Sequence, residues 1–107
     1  MKLFLEKHLK QLIKNHNEQD GSKDFKVVVK LFNPCGLGTW YLSELDPTTN
    51  VAFGLSCLHE KELGYVSIDE ITSLKLPLGL SIERDRLFDI NKHSLEECKT
   101  LWVILKN

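Results

Sequence analysis

The chain has 107 residues, 42% of them hydrophobic, and a formal net charge of −1 from 14 basic and 15 acidic side chains. This length suits a single globular domain, which buries roughly two-thirds of the surface that its unfolded chain exposes. The near-neutral charge and the pI of about 6.4 exclude a strongly basic nucleic-acid coat protein, and the mean hydropathy of −0.19 excludes a membrane protein.

The N-terminus and the cysteines indicate the cellular compartment. The first apolar run, Leu3 to Leu5, has three residues, whereas a secretory signal needs roughly 7 to 15 and a membrane span roughly 20. Cys35, Cys57 and Cys98 are odd in number and widely spaced, unlike the even, denser set of a disulfide-stapled secreted domain. We therefore expect a cytoplasmic protein with reduced thiols and no membrane contact.

Residues 1–17 are predicted to form a basic amphipathic helix. One apolar face follows helical spacing and comprises Leu5, Leu9, Leu12, Ile13 and His16. A second face carries Lys7, Lys10 and Lys14. Such a lysine row is usually a solvated face, and contact with a polyanion is the alternative. The polar segment 17–24 is predicted to be a linker.

From residue 25 the pattern changes to that of β-strands. A β-branched strand over 25–32 is followed by a Pro- and Gly-containing loop over 33–38. Strands over 39–45 and 51–58 follow, joined by a compact turn. Simple alternation along the first of them predicts Trp40, Leu42 and Glu44 on one face and the residues between them, with Leu45, on the other. An antiparallel meander is the simplest arrangement.

The last third of the chain is predicted to add two helices and two short strands. A strand over 63–66 leads into a helix over 68–74, where Ser67 and Glu70 have the spacing of a capping box. An edge strand over 80–85 and a closing helix over 94–106 follow. We predict a single α+β domain, 1–107, in which the N- and C-terminal helices pack on one face of a small, mostly antiparallel sheet.

Six short motifs in the β-rich stretch carry a family resemblance. In chain order they are KLFNPCG, GTW, ELDP, FGL, ELGYVS and IERD, and they lie between Lys30 and Asp85. With these motifs the chain resembles an uncharacterised bacterial domain-of-unknown-function family of small proteins frequent on plasmids, integrative elements and phages. The resemblance implies a family-like core over 25–88 and a mobile-element setting, and it implies no activity.

The cysteines offer two candidate chemistries. Cys35 lies in a loop, where exposure and backbone amides can activate a thiol as a nucleophile, but none of the four histidines shares its motif. Packing under the hairpin is therefore the favoured interpretation. Cys57 and His59 supply two ligands, whereas a zinc site usually needs four. We expect no catalytic set, no metal and no cofactor.

Polar and aromatic residues of the motifs are the better candidates for a binding surface. Turn and strand chemistry does not require a tryptophan at Trp40 or an arginine flanked by two acids at Arg84. In a shallow site, Trp40 or Tyr65 would be the platform and Arg84 the anion anchor. Otherwise Trp40 fills the core and Arg84 pairs with Glu44 or Asp46. The candidate binding residues are Asn33, Thr39, Trp40, Glu44, Tyr65, Glu83, Arg84 and Asp85.

Three functions from different classes follow. The first is a non-enzymatic accessory protein of mobile DNA, a monomer or small homo-oligomer that binds a protein partner as an inhibitor or modulator. The second is weak nucleic-acid binding, since residues 1–30 hold seven lysines against four acids and the remainder seven basic residues against eleven acids. The third is a small enzyme using Cys35 or Glu83, Arg84 and Asp85. The candidate nucleic-acid contacts are Lys7, Lys10, Lys14, Lys26 and Lys30.

Overall fold

A computed structural model of the protein describes residues 3–88. Its elements are α1 (Glu6–Glu18), β1 (Val29–Phe32), β2 (Thr39–Asp46), β3 (Val51–Cys57), β4 (Lys61–Ser67), α2 (Ile68–Ser73), one 3-10 turn (Pro77–Gly79) and β5 (Glu83–Arg84). The closing helix predicted over 94–106 lies outside the described residues. No helix within 3–88 is long and apolar enough to cross a membrane.

The five strands form one antiparallel sheet in the order β4-β3-β2-β1-β5. The predicted meander and the α+β class are therefore confirmed. The turn between β2 and β3 is compact because the amide of Thr48 donates a hydrogen bond to Asp46 Oδ1 at 2.9 Å, while Asn50 adopts a φ of 57°. Helix α2 begins as predicted, since the Ser67 hydroxyl oxygen accepts a hydrogen bond from the Glu70 amide.

A β-bulge interrupts β2 at Ser43. On one side of it Leu42 lies opposite Gly54, and on the other Glu44 lies opposite Phe53, so β2 has one more residue than β3 between these pairs. The Ser43 side chain is fully buried, and its hydroxyl oxygen has no hydrogen-bond partner within residues 3–88. The bulge shifts the alternation of every residue that follows it in the strand.

The bulge overturns the predicted face assignment of β2. Leu45 joins Trp40 and Leu42 in the larger buried cluster, and Glu44 lies on the opposite face beside Phe53. The prediction that Glu44 shares a face with Trp40 and Leu42 is therefore wrong. Simple period-two alternation fails here because one inserted residue moves all later side chains to the other face.

Within residues 3–88 the core consists of two apolar clusters. The larger one joins α1, the sheet and α2 and contains Leu12, Val28, Val29, Leu31, Trp40, Leu42, Leu45, Ala52, Ile68, Ile71 and Ile82. The smaller one contains Val27, Tyr41, Leu55 and Cys57. Residues of both described helices thus belong to a single cluster. The predicted packing of the N- and C-terminal helices on one face stays a prediction, because the second of these helices falls beyond residue 88.

Helix α1 docks through polar as well as apolar side chains. Its buried residues are His8, Leu12 and Asn15, and Asn15 Nδ2 donates a 2.9 Å hydrogen bond to the carbonyl oxygen of Ser43 at the bulge. Leu5 is the N-cap residue and is 40% exposed, which corrects its predicted place on the buried face. His8 and Asn15 are tolerated in the interior because both are hydrogen-bonded, and the periodicity of apolar residues cannot reveal them.

Candidate functional site

Trp40 and Arg84 flank Leu31 in one row across the strands, and both are buried. Leu31 pairs with Trp40 on one side and with Arg84 on the other, and residues in such a row point to the same face. Their exposed fractions are 7% and 9%. Arg84 Nη1 donates a 3.0 Å hydrogen bond to the carbonyl oxygen of Leu3. Trp40 therefore fills the core, and Arg84 holds the segment before α1.

Asn33 and Thr39 belong to the β1–β2 hairpin and its loop. The Asn33 side chain donates to the Leu37 carbonyl oxygen at 3.1 Å and accepts from the Cys35 amide at 2.8 Å. Thr39 lies opposite Phe32 where the loop ends. These contacts close the loop and give Asn33 a structural role that its turn chemistry accounts for.

The acids around Arg84 do not converge on one point. Glu83 lies opposite Phe32 in β5, and neighbouring residues of a strand point to opposite faces. Asp85 forms a 3.2 Å ion pair with Lys30, whose ammonium lies 5.7 Å from the centre of the Tyr41 ring. Glu44 lies on the face opposite Arg84, so it is not the cross-sheet ion-pair partner considered above.

The described cysteines occupy different environments. Cys35 is exposed, and its Sγ lies 3.8 Å from the carbonyl oxygen of Pro77. Cys57 is buried, and burial raises the pKa of its thiol. His59, two residues further on, is exposed. Within residues 3–88 no three or more His, Cys, Asp or Glu side chains come together as a metal site would require.

The candidate nucleic-acid lysines separate into two sets. Lys7 and Lys30 line one cavity of about 170 Å³ near the start of α1, together with His8, Arg84 and Arg86. The others, Lys10, Lys14 and Lys26, are exposed. Lys10 forms a solvent-exposed pair with Glu6 at 3.5 Å, which is a weak interaction at such a site.

His8 caps α1 from within the helix. Its Nδ1 accepts a 3.1 Å hydrogen bond from the amide of Leu5. Burial, and to a smaller extent the positive charges of Arg84 and Lys7, lowers the pKa of His8 below its ordinary value of 6.5. The neutral imidazole is therefore the form that the fold requires, because a protonated Nδ1 has no lone pair for the Leu5 amide.

We expect His8 to make the fold sensitive to mild acid. As the pH falls below 6.5, the unfolded chain binds a proton at this position before the folded protein does, so stability falls. His8→Gln retains an acceptor for the Leu5 amide and does not titrate. Between about pH 7.5 and about pH 5.5 the melting temperature should fall further for the native protein than for this variant. Equal falls in the two proteins would contradict the assignment.

A groove beside Tyr65 is the candidate binding site within residues 3–88. Two adjoining hollows of about 400 and 350 Å³ share the residues Gln19, Glu44, Phe53 and Tyr65, and we call them together the Tyr65 groove. Glu44, Phe53 and Tyr65 lie side by side on β2, β3 and β4. With strands about 4.8 Å apart, the floor from β2 to β4 is about 10 Å wide, which is enough for one extended peptide segment.

Tyr65 forms the outer wall of the groove. Its side chain is 81% exposed, although its ring packs edge-on against Phe53 with a centroid distance of 5.3 Å. Leu63, two residues earlier on the edge strand, is also exposed. An aromatic ring held by a neighbouring ring and open to solvent is the kind of side chain that dominates protein interfaces.

The Gln19 side chain forms the opposite wall and orients Glu44. Its Oε1 accepts from the amides of Gly21 and Lys23, and its Nε2 donates to the carbonyl oxygen of Lys23 and, at 2.9 Å, to Glu44 Oε2. Every hydrogen-bonding position of this amide is thus occupied. The hydrogen bond from Gln19 fixes the orientation of the Glu44 carboxylate, and Glu44 is only 7% exposed.

Asp46 and His16 complete one end of the groove. The Asp46 carboxylate lies 3.9 Å from His16 Nε2. The hydrogen bond from the amide of Thr48 is the main cause that lowers the pKa of Asp46 below its ordinary value of 3.8. Asp46 is therefore negatively charged at neutral pH, and this end of the groove is acidic.

The sequence identified only part of this groove. Glu44 and Tyr65 were among the predicted binding residues, whereas Gln19 and Phe53 were not, and Trp40 and Arg84 lie elsewhere. Gly54, which follows Phe53, could have indicated the irregular pairing of β2 with β3, because glycine within a strand often marks a bulge or a close backbone approach. The place of Gln19 depends on how the loop after α1 folds back, which no local pattern specifies.

The fold and groove define a small α+β domain built on an antiparallel meander. The chain belongs to the family described as "Protein of unknown function (DUF2958)", whose model matches residues 3–98. That match includes α1 and extends beyond the stretch that carries the sequence motifs. No curated protein and no solved structure matches the chain.

Proposed function

We propose that this protein is a non-enzymatic binding module that takes a segment of a partner protein in the Tyr65 groove. In the mobile-element setting that the sequence motifs imply, it would act in the cytoplasm as an inhibitor or modulator of that partner. The observation that carries the proposal is Tyr65 itself, an exposed aromatic ring held against Phe53 at the rim of a groove. Burial of such a ring by a partner is a common source of interface energy.

The shape and composition of the groove support a peptide-like occupant. Its combined apolar and polar lining resembles the mixture that peptide-recognition sites use, with rings for contact area and a few fixed polar groups for orientation. Gln19 and Glu44 provide such fixed groups. The groove is also largely preformed, since both walls are held by contacts within the chain, and preformed sites bind with a smaller entropic cost.

A random peptide library displayed on mRNA tests the proposal directly. Selection on the native protein is expected to enrich peptides, and Tyr65→Ala should weaken their binding by about 30-fold or more, which corresponds to about 2 kcal/mol. Fluorescence polarisation of labelled peptides provides the measurement. Leu37→Ala, which removes an exposed apolar side chain from the β1–β2 loop, is the matched control and should leave binding unchanged.

Two outcomes would contradict the proposal. The first is a selection that enriches no peptide on the folded native protein. The second is a set of peptides whose affinities are the same for the native protein and for Tyr65→Ala. Tyr65→Ala should lose no more than about 1.5 kcal/mol of stability, because most of the removed side chain is in solvent and only its contact with Phe53 is lost. A thermal melt that shows a folded variant would establish that a loss of binding does not reflect unfolding.

Nucleic-acid binding is the second candidate, favoured by the basic cavity near the start of α1. There Lys7, Lys30, Arg84 and Arg86 line one small space, and α1 continues the positive charge with Lys10 and Lys14. A phosphate could enter such a cavity, since cationic side chains and backbone amides are the usual phosphate ligands. The pairing of Lys30 with Asp85 reduces the charge available there.

Replacing Lys7, Lys10 and Lys14 by glutamate tests this candidate. All three side chains are exposed, so the fold should persist. If the helix contacts phosphates, the affinity for a DNA duplex should fall, and the slope of log affinity against log salt should flatten by about 0.9 per lost contact. Fluorescence anisotropy at several salt concentrations measures both quantities. An unchanged slope would reject α1 as the nucleic-acid surface.

A further inference from the structure

We infer that the Tyr65 groove is a receptor for a basic side chain, lysine or arginine, carried by the partner segment. This inference rests on the proposed function and names the chemistry that the groove selects. It starts from Glu44, a carboxylate at the floor of the groove that is more than nine-tenths buried. Carboxylates in such positions are usually held by hydrogen bonds or by a cation.

Residues 3–88 provide a hydrogen-bond partner for only one of the two Glu44 carboxylate oxygens. That partner is Gln19 Nε2, which binds Oε2. The second oxygen, Oε1, has no partner in that part of the chain, and the residue lines both hollows of the groove. An open carboxylate oxygen that faces a groove is suited to accept a charge-assisted hydrogen bond from an ammonium or guanidinium group.

No cation of the described chain neutralises Glu44. The ion pairs found within residues 3–88 join other residues, and none includes Glu44. Lys23, which lines one hollow, instead has its ammonium 6.0 Å from the centre of the Phe25 ring. Within residues 3–88 the carboxylate of Glu44 therefore has no ion-pair partner, although Lys23 lies in the wall of the groove.

The other groups of the groove fit the same occupant. Asp46 adds a second negative charge at one end, with its ionised form stabilised by the Thr48 amide. The rings of Phe53 and Tyr65 stand beside Glu44 in adjacent strands. Aromatic faces attract cations, and the hydrocarbon stem of a lysine or arginine packs well on them. A neutral side chain would gain neither the ion pair nor the cation–π contact, and an acidic one would be repelled by Glu44.

Parallel selections from the same displayed library test this inference. On the native protein, lysine or arginine should be enriched at one fixed position of the selected peptides. On Glu44→Gln, peptides should still be enriched but without that basic residue. Glu62→Gln removes an exposed acid that lines a different hollow, and its selected peptides should keep the basic residue. The Glu44 substitution retains an acceptor for Gln19, and a thermal melt verifies that the variant is folded.

A double-mutant cycle on one selected peptide makes the test quantitative. Replacing the basic residue of the peptide by methionine, and Glu44 by glutamine, should each weaken binding by about tenfold or more, and the two losses should not add. The methionine peptide on the native protein requires no protein variant, so equal affinities of the two peptides would overturn the inference even if Glu44→Gln does not fold.

The outcomes separate this inference from the proposed function. Selected peptides that depend on Tyr65 but lack a preferred basic residue would overturn the inference and leave the binding function intact. A basic residue whose replacement costs the same on the native protein and on Glu44→Gln would also overturn it, because the cation would then bind elsewhere. Failure to enrich any peptide would instead contradict the proposed function itself.

Discussion

Replacing Arg84 by alanine is expected to lower the free energy of unfolding by about 3 kcal/mol. The guanidinium is nearly buried in the row that contains Leu31 and Trp40, and it donates a hydrogen bond to the carbonyl oxygen of Leu3. Alanine leaves that carbonyl without this donor and removes the packing of the arginine stem. The segment before α1 should then detach from β5, and the melting temperature should fall.

Arg86 provides the matched control for this experiment. It lies two residues further along the chain and is exposed, so Arg86→Ala should change stability by no more than about 0.5 kcal/mol. Chemical denaturation of the two variants and the native protein gives the comparison. If Arg84→Ala keeps the native stability and loses peptide binding, Arg84 is a recognition anchor after all, and the Tyr65 groove is not the only contact surface.

The elements that local chemistry specifies could be predicted from the sequence. Strand positions followed from β-branched runs separated by turn residues, and the start of α2 followed from Ser67 and Glu70. Strand β5 pairs at the sheet edge through only two residues of the predicted six. Local patterns thus predict that an element exists more reliably than they predict its ends.

Features that depend on tertiary contacts could not be predicted in this way. The bulge at Ser43 follows from the pairing of β2 with β3, and the polar contact of Asn15 with the bulge follows from the docking of α1. Both contradict simple periodicity, since they place a serine and an asparagine in the interior. A single sequence provides no information about which polar residues will find buried partners.

The candidate site also combines residues that the sequence could indicate with positions that only tertiary contacts determine. Tyr65 could be selected as an exposed aromatic residue of a short strand, but Trp40 was selected on equal grounds and is buried. Which of the two faces solvent depends on the covering of each sheet face by α1 and α2. Glu44 lies in the groove only because the bulge turns it away from the larger core. The position of Glu44 in the groove is therefore a product of sheet irregularity, which the motif that contains Glu44 does not specify.

Replacing Gly54 by alanine is expected to prevent folding or to destabilise the protein by more than about 4 kcal/mol. Gly54 lies in the middle of β3, opposite Leu42 on one side and Gly64 on the other. A methyl group there would overlap the carbonyl oxygen of Tyr41 and come within 2.9 Å of Leu42 Cα. Both clashing atoms belong to the backbone of β2, so the clash is removed only if β2 and β3 separate beside the bulge.

Gly64 is the control, because it is the direct partner of Gly54 on β4 and a methyl group at Gly64 would have no atom within 4 Å. Gly64→Ala should be neutral or should stabilise the protein by up to about 1 kcal/mol, since alanine restricts the unfolded chain more than glycine does. Circular dichroism melts of the two variants measure the contrast. A folded, native-like Gly54→Ala would mean that β2 and β3 do not approach closely at this point. The bulge that directs Glu44 into the Tyr65 groove would then be in doubt as well, because the same strand pairing produces both features.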